Sequence, residues 1–577
     1  MTESVTWKHN GSGDWFTAGD WTHNAVPGAD DDVTLTSAAR HTISYNGTDT
    51  IAGLLSGKDQ FAMLGGTLSI SGDTDLAGGL NQSGGMILLG GTANTISGGV
   101  SISAGAIALG ADESLYLHGP ATLGGGDGAS FIGAGTLVTS GTLTIIQDDG
   151  ANEAALGGGL TWKNTGTVVD AGIFSADFSA GIALTILNPA RATFDFTTDT
   201  ACLMNGSSND GEASSDFNNA GLLEKTGGTG DTTFYATITS TGTIALESGT
   251  LDFEDGGTIG GIIEGPHALE FDGGGTLHNA LVLDTNIVFG GGTVTLSGVT
   301  ANGLLSDNAA AEQTGHVTLG SSLGGGELDI NGVYDIAGNG GISSAVGGGA
   351  VLIFGTLEKS GGKAGVSIAA MVIDDGGIEV EDGSLRLGQG LNGNGGVTIG
   401  TGASFQLGSA DSAITVTLAA GGELVLDDPA AFAGEISNFV SGTTLDLRGL
   451  DVTYATASSG GTLTLENGGS VVGTLLLDND DSGVNFTYHS DNHGGTLLKI
   501  SPGVVGTLSR MAFLAAPAAA AGRELREIPT VRITESPAAR IGAAGTISLS
   551  GTYASLPMLG EHGQTGWLSE GSKHCFF

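Results

Sequence analysis

Adjacent pairs of aspartates are the residues of this sequence whose type and spacing come closest to catalytic machinery. They are Asp148-Asp149, Asp374-Asp375, Asp427-Asp428 and Asp480-Asp481. Two carboxylates that flank one glycosidic bond can act as acid and base, or as acid and nucleophile. Neighbouring strand residues, however, point to opposite faces, and aspartate is favoured in turns, where it bonds its own backbone. We therefore interpret these pairs as structural and predict no catalytic residue.

Metal-ligating patterns are equally sparse. His489 and His493 have the four-residue spacing of a helical zinc pair and enclose Asp491, but their segment has the pattern of strand and turn. The stretch Gly124-Gly125-Gly126-Asp127-Gly128 is the nearest match to a nonapeptide calcium repeat, and it does not recur in tandem. The sequence predicts no metal site and no cofactor. Calcium is the one ion that the acidic composition leaves open.

The elements that must carry any site are short strands that recur with a fixed period. Three apolar pairs, Leu68-x-Ile70, Ile87-x-Leu89 and Ile107-x-Leu109, follow one another at 19 and 20 residues. In Gly292-Thr293-Val294-Thr295-Leu296, valine and leucine alternate with threonine, which predicts a strand with two inward and two outward side chains. Glycine supplies the tight corners between strands. The period therefore predicts an all-β fold, a right-handed parallel β-helix with coils of roughly 20 residues.

Composition limits the classes of function. The 577 residues include 106 Gly but only 10 Pro, and the apolar strands recur regularly, which excludes collagen and argues against disorder. A formal net charge of −44 disfavours nucleic acid and anionic membrane surfaces as partners. With two cysteines there is no disulfide framework. The N-terminus lacks the features of a Sec signal peptide, and the apolar run Met511–Ala521 is too short to span a bilayer.

Three regions separate by composition. Residues 1–40 contain Trp7, Trp15 and Trp21, and we interpret them as an aromatic cap over the open end of the first coil. Residues 41–503 form the predicted parallel β-helix rod. Residues 504–577, with an Ala/Pro-rich stretch and no aspartate, are interpreted as a linker and irregular tail.

The two ends of the first 500 residues resemble large bacterial β-helical surface proteins of the autotransporter-passenger type. The resemblance rests on Gly13-Asp14-Trp15, Asp20-Trp21, Val26-Pro27 and Asp31-Asp32-Val33-Thr34-Leu35 at one end, and on Phe432–Phe439, Thr444–Leu447, Gly461–Leu465 and Gly494–Leu497 at the other. Some such proteins are followed by a Hint (hedgehog/intein-like) domain, which begins with a cysteine nucleophile and an aromatic residue. Cys575-Phe576-Phe577 matches that start in three residues only. We interpret Cys575 as an incidental tail cysteine, with the truncated Hint start that the resemblance would imply as the alternative. Cys202 is interpreted as a small buried residue.

The pattern as a whole predicts a non-enzymatic, secreted or surface-exposed β-helical rod, adhesin-like or structural, that acts as a monomer. The expected partners are surface glycans or other components of a host or cell surface. Two alternatives remain open at this point. One is a carbohydrate-active β-helix, either a polysaccharide hydrolase or a lyase, and the other is a fragment of a Hint-processed secreted precursor. The 11 Lys and Arg of positions 1–500 are too dispersed to suggest a lyase site.

Overall fold

The computed structural model describes residues 3–125, 128–146, 154–177, 184–199, 202–205, 215–411, 413–478 and 483–501. Of the described residues, 58% lie in strands and 1% in a helix, and the strands form a parallel β-solenoid of about 18 turns. The predicted all-β parallel β-helix is thereby confirmed. The described residues within Met1–Gly506 form one compact unit.

In the N-terminal part each of the first ten strands pairs with the one two places further along the chain, so that a coil contains two strands. The strands are β1 Glu3–Thr6, β2 Gly13–Asp14, β3 Asp31–Leu35, β4 Thr42–Ile51, β5 Gly53–Ser56, β6 Gln60–Ile70, β7 Thr74–Leu76, β8 Leu80–Leu89, β9 Asn94–Ile96, β10 Val100–Leu109 and β11 Ser114–Leu117. A single turn of 3-10 helix, Ala18–Asp20, lies between β2 and β3. Because β1 already pairs in parallel with β3, the ladder includes residues assigned to the cap.

Further along, most strands pair with the third strand after them, and coils acquire three strands. These strands are β12 Ala121–Gly124, β13 Ala129–Gly133, β14 Thr136–Thr139, β15 Thr142–Ile146, β16 Ala154–Gly157, β17 Thr161–Asn164, β18 Thr167–Ala171, β19 Ile173–Asp177, β20 Thr185–Asn188, β21 Thr193–Phe196, β22 Cys202–Asn205, β23 Asp216–Asn219, β24 Leu222–Lys225, β25 Asp231–Phe234, β26 Thr237–Ser240, β27 Thr243–Leu246, β28 Thr250–Phe253, β29 Gly257–Glu264, β30 Ala268–Phe271 and β31 Gly275–Leu283.

The remaining strands continue this stack and then close it. They are β32 Asn286–Phe289, β33 Thr293–Ser297, β34 Val299–Ala301, β35 Leu304–Asp307, β36 Ala310–Gln313, β37 Val317–Leu319, β38 Gly326–Ile330, β39 Val333–Asp335, β40 Ile342–Ser344, β41 Gly349–Ile353, β42 Thr356–Lys359, β43 Gly365–Ile368, β44 Met371–Asp374, β45 Gly377–Val380, β46 Ser384–Leu387, β47 Leu391–Gly393, β48 Gly396–Ile399, β49 Ser404–Leu407, β50 Thr415–Leu418, β51 Glu423–Leu426, β52 Glu435–Ser437, β53 Thr444–Leu447, β54 Tyr454–Ala457, β55 Thr462–Asn467, β56 Ser470–Leu477, β57 Phe486–Ser490 and β58 Thr496–Ile500.

The C-terminal end differs from the continuous parallel rod expected as far as residue 503. β54, β55 and β56 form an antiparallel meander, and β58 pairs antiparallel with both β53 and β57. Hairpin-connected strands are antiparallel by necessity, because a parallel connection needs a long crossover. These strands cover the last coils and pair with their exposed backbone edge.

Alternation along β33 places the side chains as the sequence predicts. Val294 and Leu296 are fully buried, while Thr293 is exposed and Thr295 is partly exposed. Gly292, which precedes this strand, has a φ of 61°, a backbone conformation that favours glycine. The Gly-Thr-apolar-x-apolar phrase therefore encodes a corner followed by a strand with one buried face.

A column of phenylalanines fills part of the interior. Phe234, Phe253, Phe271 and Phe289 occupy the same register position on four successive coils. Their ring centroids are separated by 5.6, 5.8 and 6.4 Å, and the first two pairs meet edge to face. Such contacts add about 0.5–1.5 kcal/mol each to the burial of the rings. The in-register repeat thus makes each coil dependent on its neighbours.

The three N-terminal tryptophans form a buried aromatic group. Trp21 packs edge to face on Trp7 at 5.0 Å and on Trp15 at 4.8 Å, and its indole Nε1 donates a hydrogen bond to the Trp15 carbonyl oxygen at 2.7 Å. Trp15 in turn contacts Tyr45 and Phe61, whose strands β4 and β6 belong to the first coils. The aromatic group therefore packs directly on the start of the stack.

A ladder of buried polar side chains runs through five coils of the interior, and we call it the asparagine ladder. Its members are Thr139, Asn164, Asn188, Asn219 and Ser240. The Nδ2 atoms of Asn164 and Asn188 each donate to the Oδ1 of the next asparagine at 2.9 Å, and Asn219 Nδ2 donates to Ser240 Oγ at 3.0 Å. Each asparagine also donates to a backbone carbonyl oxygen. An amide can donate and accept at once, so a column of them satisfies itself without water.

Candidate functional site

Two copies of an acid-Phe-acid phrase lie on adjacent coils. They are Asp252-Phe253-Glu254, at the end of β28, and Glu270-Phe271-Asp272, at the end of β30. The parallel register places Asp252 beside Glu270 and Phe253 beside Phe271. Because both phenylalanines point into the core, the flanking acids point out of the solenoid. The repeat therefore gathers four carboxylates on one patch of the outer surface.

Three of these acids, Asp252, Glu254 and Asp272, converge, and we call them the outer acidic cluster. One carboxylate oxygen from each lies within 4.8 Å of the other two. Asp252 is only 8% exposed, and its Oδ1 atom is buried and accepts no hydrogen bond. Burial, followed by the negative charges of Asp272 and Glu254, raises the pKa of Asp252 to about 7. The cluster thus brings three acidic side chains together on one patch of the outer surface.

Space for the cluster is preserved by a glycine on the following coil. Gly290 comes directly after Phe289, which pairs with Phe271, so it continues the column that contains Asp272. A Cβ atom built at Gly290 would overlap Oδ1 of Asp272 and lie 2.8 Å from Oε1 of Glu270. Any side chain at this position would displace the carboxylates.

Lysine and arginine are absent from the sequence around the cluster. No Lys or Arg occurs between Lys225 and Lys359, whereas 15 Asp and Glu do. Lys225 is itself buried and already engaged: its Nζ lies 2.9 Å from Asp199 Oδ1, from the Gly227 carbonyl oxygen and from Thr232 Oγ1. The cluster therefore has no lysine or arginine among its near sequence neighbours.

The outer acidic cluster was not among the residues singled out from the sequence. The sequence candidates were adjacent acids, and alternation along a strand places adjacent residues on opposite faces. The informative signal is instead acid-x-acid, repeated 18 residues later at positions 252–254 and 270–272. Spacing by two keeps both acids on one face, and spacing by one coil brings the second pair beside the first.

Asp374 and Asp375 show why adjacent acids do not form a site here. Asp374 is fully buried and accepts a hydrogen bond from the Gly376 amide at 3.1 Å, while Asp375 is exposed and accepts one from the Asn394 amide at 3.0 Å. Burial, partly opposed by the Gly376 hydrogen bond, raises the pKa of Asp374 to about 7. The two carboxylates lie on opposite sides of the strand, as predicted, and cannot flank one bond.

Asp427 and Asp428 have separate structural roles. Asp427 accepts a hydrogen bond from Gln406 Nε2 at 2.7 Å and pairs with Arg386 at 3.2 Å and Arg448 at 3.7 Å. Asp428 accepts a hydrogen bond from the Ala430 amide at 3.2 Å, which is a turn contact. The pairs Asp148-Asp149 and Asp480-Asp481 lie outside the described residues.

The histidine segment has the strand-and-turn structure that its pattern indicates. His489 is an exposed residue of β57, and His493 lies in the following turn. Asp491 Oδ1 accepts hydrogen bonds from the backbone amides of His493 at 2.7 Å and Gly495 at 2.8 Å, which defines the turn. Asp127 and Cys575 lie outside the described residues, and Cys202 begins β22, whose backbone pairs with β19.

An interior cavity is present near the N-terminal end, but it is too small to hold a ligand. Its volume is about 10 Å³, and its lining includes Leu54, Phe61 and Leu80. A cavity of this size is at the lower limit for a single water molecule and offers it no polar partner. It is a packing gap between stacked coils.

Comparisons with known proteins give no relative: no family model, no curated protein and no solved structure matches the chain. Within the described ranges, no helix has the length and apolar character needed to cross a membrane. Inferences about function therefore depend on the geometry of the solenoid and its surface.

Proposed function

We propose that the chain is a non-enzymatic, secreted or surface-exposed β-helical rod, adhesin-like or structural. The observation that supports this most is the in-register parallel stacking that runs from β1 to β52. A solenoid stabilised by contacts between neighbouring coils extends with each added coil, and its flank offers a long surface for binding.

The character of the outer surface agrees with this proposal. Outward positions of the strands carry Thr, Ser, Asn, Asp and Glu, and the net charge of −44 disfavours self-association and nucleic-acid binding. Surface glycans or other components of a host or cell surface are the proposed partners. They would contact hydroxyl, amide and carboxylate groups along one flank.

A carbohydrate-active β-helix is the alternative, and one observation favours it. The raised pKa of Asp252, beside Glu254 and Asp272, is the combination from which a glycosidase obtains an acid and a base. The composition weighs against it. Only 6% of the residues are aromatic, so the chain offers few side chains on which a sugar ring could stack.

Binding and turnover can be measured together on the purified chain. The chain is applied to a glycan and polysaccharide array, and the same polysaccharides are incubated with it and assayed for reducing ends and for unsaturated uronates. We expect retention of at least one glycan class without product. If the chain released product, and if Asp252→Asn abolished this release while Asp284→Asn preserved it, the enzymatic alternative would replace the proposal.

Exposure on a cell can be tested by expressing the chain in a bacterial host. Protease treatment of intact cells should then remove the solenoid epitope while a cytoplasmic marker survives. An epitope that is cut only after lysis would contradict a surface location.

A further inference from the structure

The outer acidic cluster has a geometry suited to a hard cation. Asp252 and Glu254 come from one coil and Asp272 from the next, and one oxygen from each lies within 4.8 Å of the other two. An ion bonded to all three at the 2.3–2.6 Å typical of calcium would leave its ligand oxygens no more than about 5 Å apart. The three oxygens are therefore close enough to share one calcium ion without movement of the backbone.

A second observation points to a missing partner. Asp252 is 92% buried by its surroundings, since only 8% of it is exposed, and its Oδ1 accepts no hydrogen bond. Buried carboxylate oxygens are normally paired or bound to a metal, because removal from water is costly. Its neighbours in the cluster are also acids, which cannot donate while ionised.

The ligand chemistry selects among cations. All three groups are carboxylates, which suit calcium and magnesium, whereas zinc prefers nitrogen and sulfur ligands. Magnesium demands near-ideal octahedral geometry at shorter distances, while calcium accepts irregular sets of six to eight oxygens. One side of the cluster is lined by Gly290, whose lack of a side chain leaves room for water to complete the coordination.

We propose that Asp252, Glu254 and Asp272 bind one calcium ion on the outer face of the solenoid, so that the ion joins two adjacent coils. Glu270, whose Oε1 lies toward Gly290 beside Asp272, is placed to act as a further ligand or to hold a bound water. Three carboxylates on an open surface correspond to the weaker class of calcium sites, with a dissociation constant of about 0.1–1 mM.

The test uses the full chain and three matched variants. Asp252→Asn and Asp272→Asn each remove one charge from the cluster, and Asp284→Asn removes one from an exposed position nearby. Asp284 has a φ of 56°, which asparagine tolerates, so this control keeps the backbone intact. Isothermal titration with CaCl₂, after EDTA treatment and in 0.15 M NaCl, reports stoichiometry and affinity.

We expect one saturable site in the wild type and in Asp284→Asn, and a loss of affinity of about tenfold or more in the cluster variants, because affinity follows the number of charged ligands. MgCl₂ at the same concentration should bind more weakly. A chain as acidic as this also attracts calcium diffusely, but diffuse binding would not distinguish Asp252 from Asp284.

Thermal unfolding separates the proposal from a folding defect. Without calcium, Asp252→Asn should melt at a higher temperature than the wild type, because it relieves repulsion between carboxylates. With calcium, the wild type and Asp284→Asn should gain stability and Asp252→Asn should not. Equal calcium effects in all variants, or no saturable binding in the wild type, would overturn the proposal.

Discussion

Replacement of Asn219 by aspartate tests whether the asparagine ladder supports the solenoid. Asn219 Nδ2 donates to Ser240 Oγ at 3.0 Å and to the Thr243 carbonyl oxygen at 3.2 Å, and its Oδ1 accepts from Asn188 Nδ2 at 2.9 Å. An ionised aspartate keeps this accepted bond, and the one from the Gly221 amide, but loses both donated bonds. It also places a carboxylate in an interior where the residue is 2% exposed.

The magnitude follows from these contacts. Loss of two neutral hydrogen bonds costs about 2 kcal/mol. An ionised carboxylate that is buried without a cation costs a further ~3 kcal/mol at pH 7. We expect Asn219→Asp to destabilise its coil by about 5 kcal/mol at pH 7, and by about 1 kcal/mol at pH 4, where the protonated carboxyl is neutral and its O–H replaces one donated bond. Asn218→Asp, on the outward face of the same strand, should change stability by about 0.5 kcal/mol or less.

Hydrogen exchange followed by mass spectrometry is the appropriate assay, because the stability of a solenoid is local. Peptides covering β20, β23 and β26 should exchange faster in Asn219→Asp than in the wild type, and at the wild-type rate in Asn218→Asp. Peptides around β45 should exchange at the wild-type rate in both variants. Similar exchange in the two variants, or a defect in Asn219→Asp that does not diminish at pH 4, would refute the role of the ladder.

The remaining predictions concern the core, a buried acid and the N-terminal end. Leu296→Asp should destabilise the solenoid by several kcal/mol in urea titrations, roughly 3–5, because a charge enters the stacked interior without a partner, whereas Thr295→Asp should be nearly silent. The folded pKa of Asp374 is about 7 against 3.8 for the unfolded chain, so the folded state binds the extra proton between these values and its stability falls as pH rises through that window. Asp374→Asn should remove this loss, which amounts to about 4 kcal/mol in all, as measured by unfolding at pH 4 to 8. Deletion of residues 1–36 removes β1 to β3, exposes the edge of β5 and should cause end-to-end association in sedimentation velocity runs.

Each of these predictions has a matched comparison. Equal losses of stability for Leu296→Asp and Thr295→Asp would contradict the inward and outward assignment along β33. Asp375→Asn makes the same chemical change on the exposed side of the strand. If it abolished the pH dependence of stability as fully as Asp374→Asn does, burial of Asp374 would not be the cause of that dependence. A truncated chain without residues 1–36 that stays monomeric would show that the aromatic group does not protect the end.

The fold followed from the sequence because the two periods that define it are both local. Alternation along a strand placed Val294 and Leu296 inside, and the 19- to 20-residue spacing placed such strands on top of one another. The antiparallel closure after Tyr454 could not be foreseen in this way. Its strands have the same alternation, and the direction of pairing depends on connections that periodicity does not encode.

Buried polar residues escaped prediction for a related reason. Alternation marks a position as inward whether it holds leucine or asparagine, and isolated asparagines are usually assigned to turns. A weak signal was present. The ladder residues Thr139, Asn164, Asn219 and Ser240 each stand two positions before a corner glycine, and the amides of Gly166 and Gly221 donate to Asn164 and Asn219. A polar residue repeated at the same place before a corner is the pattern to seek.

The buried lysines show the limit of composition as a guide. Lys225 and Lys359 are inward residues of β24 and β42, although lysine is rarely buried without a partner. Lys225 reaches Asp199 and two other acceptors, while Lys359 Nζ donates to the Gly362 carbonyl oxygen at 3.2 Å. Burial lowers the pKa of Lys359. Their acceptors lie at coil corners, so only the three-dimensional path of the chain makes these positions tolerable.

Acids that repeat at the coil period become neighbours in space, and the outer acidic cluster is one case of a wider pattern. Glu312, Asp335, Glu358 and Glu379 occupy one register position on four successive coils. Adjacent coils lie about 4.8 Å apart, where two unit charges repel by about 1 kcal/mol even in water. Burial and the charge of Asp335 raise the pKa of Glu358, as repulsion requires. Cations in the surrounding solution screen this repulsion. A solenoid that stacks acid upon acid should therefore be more stable at higher ionic strength than at low ionic strength.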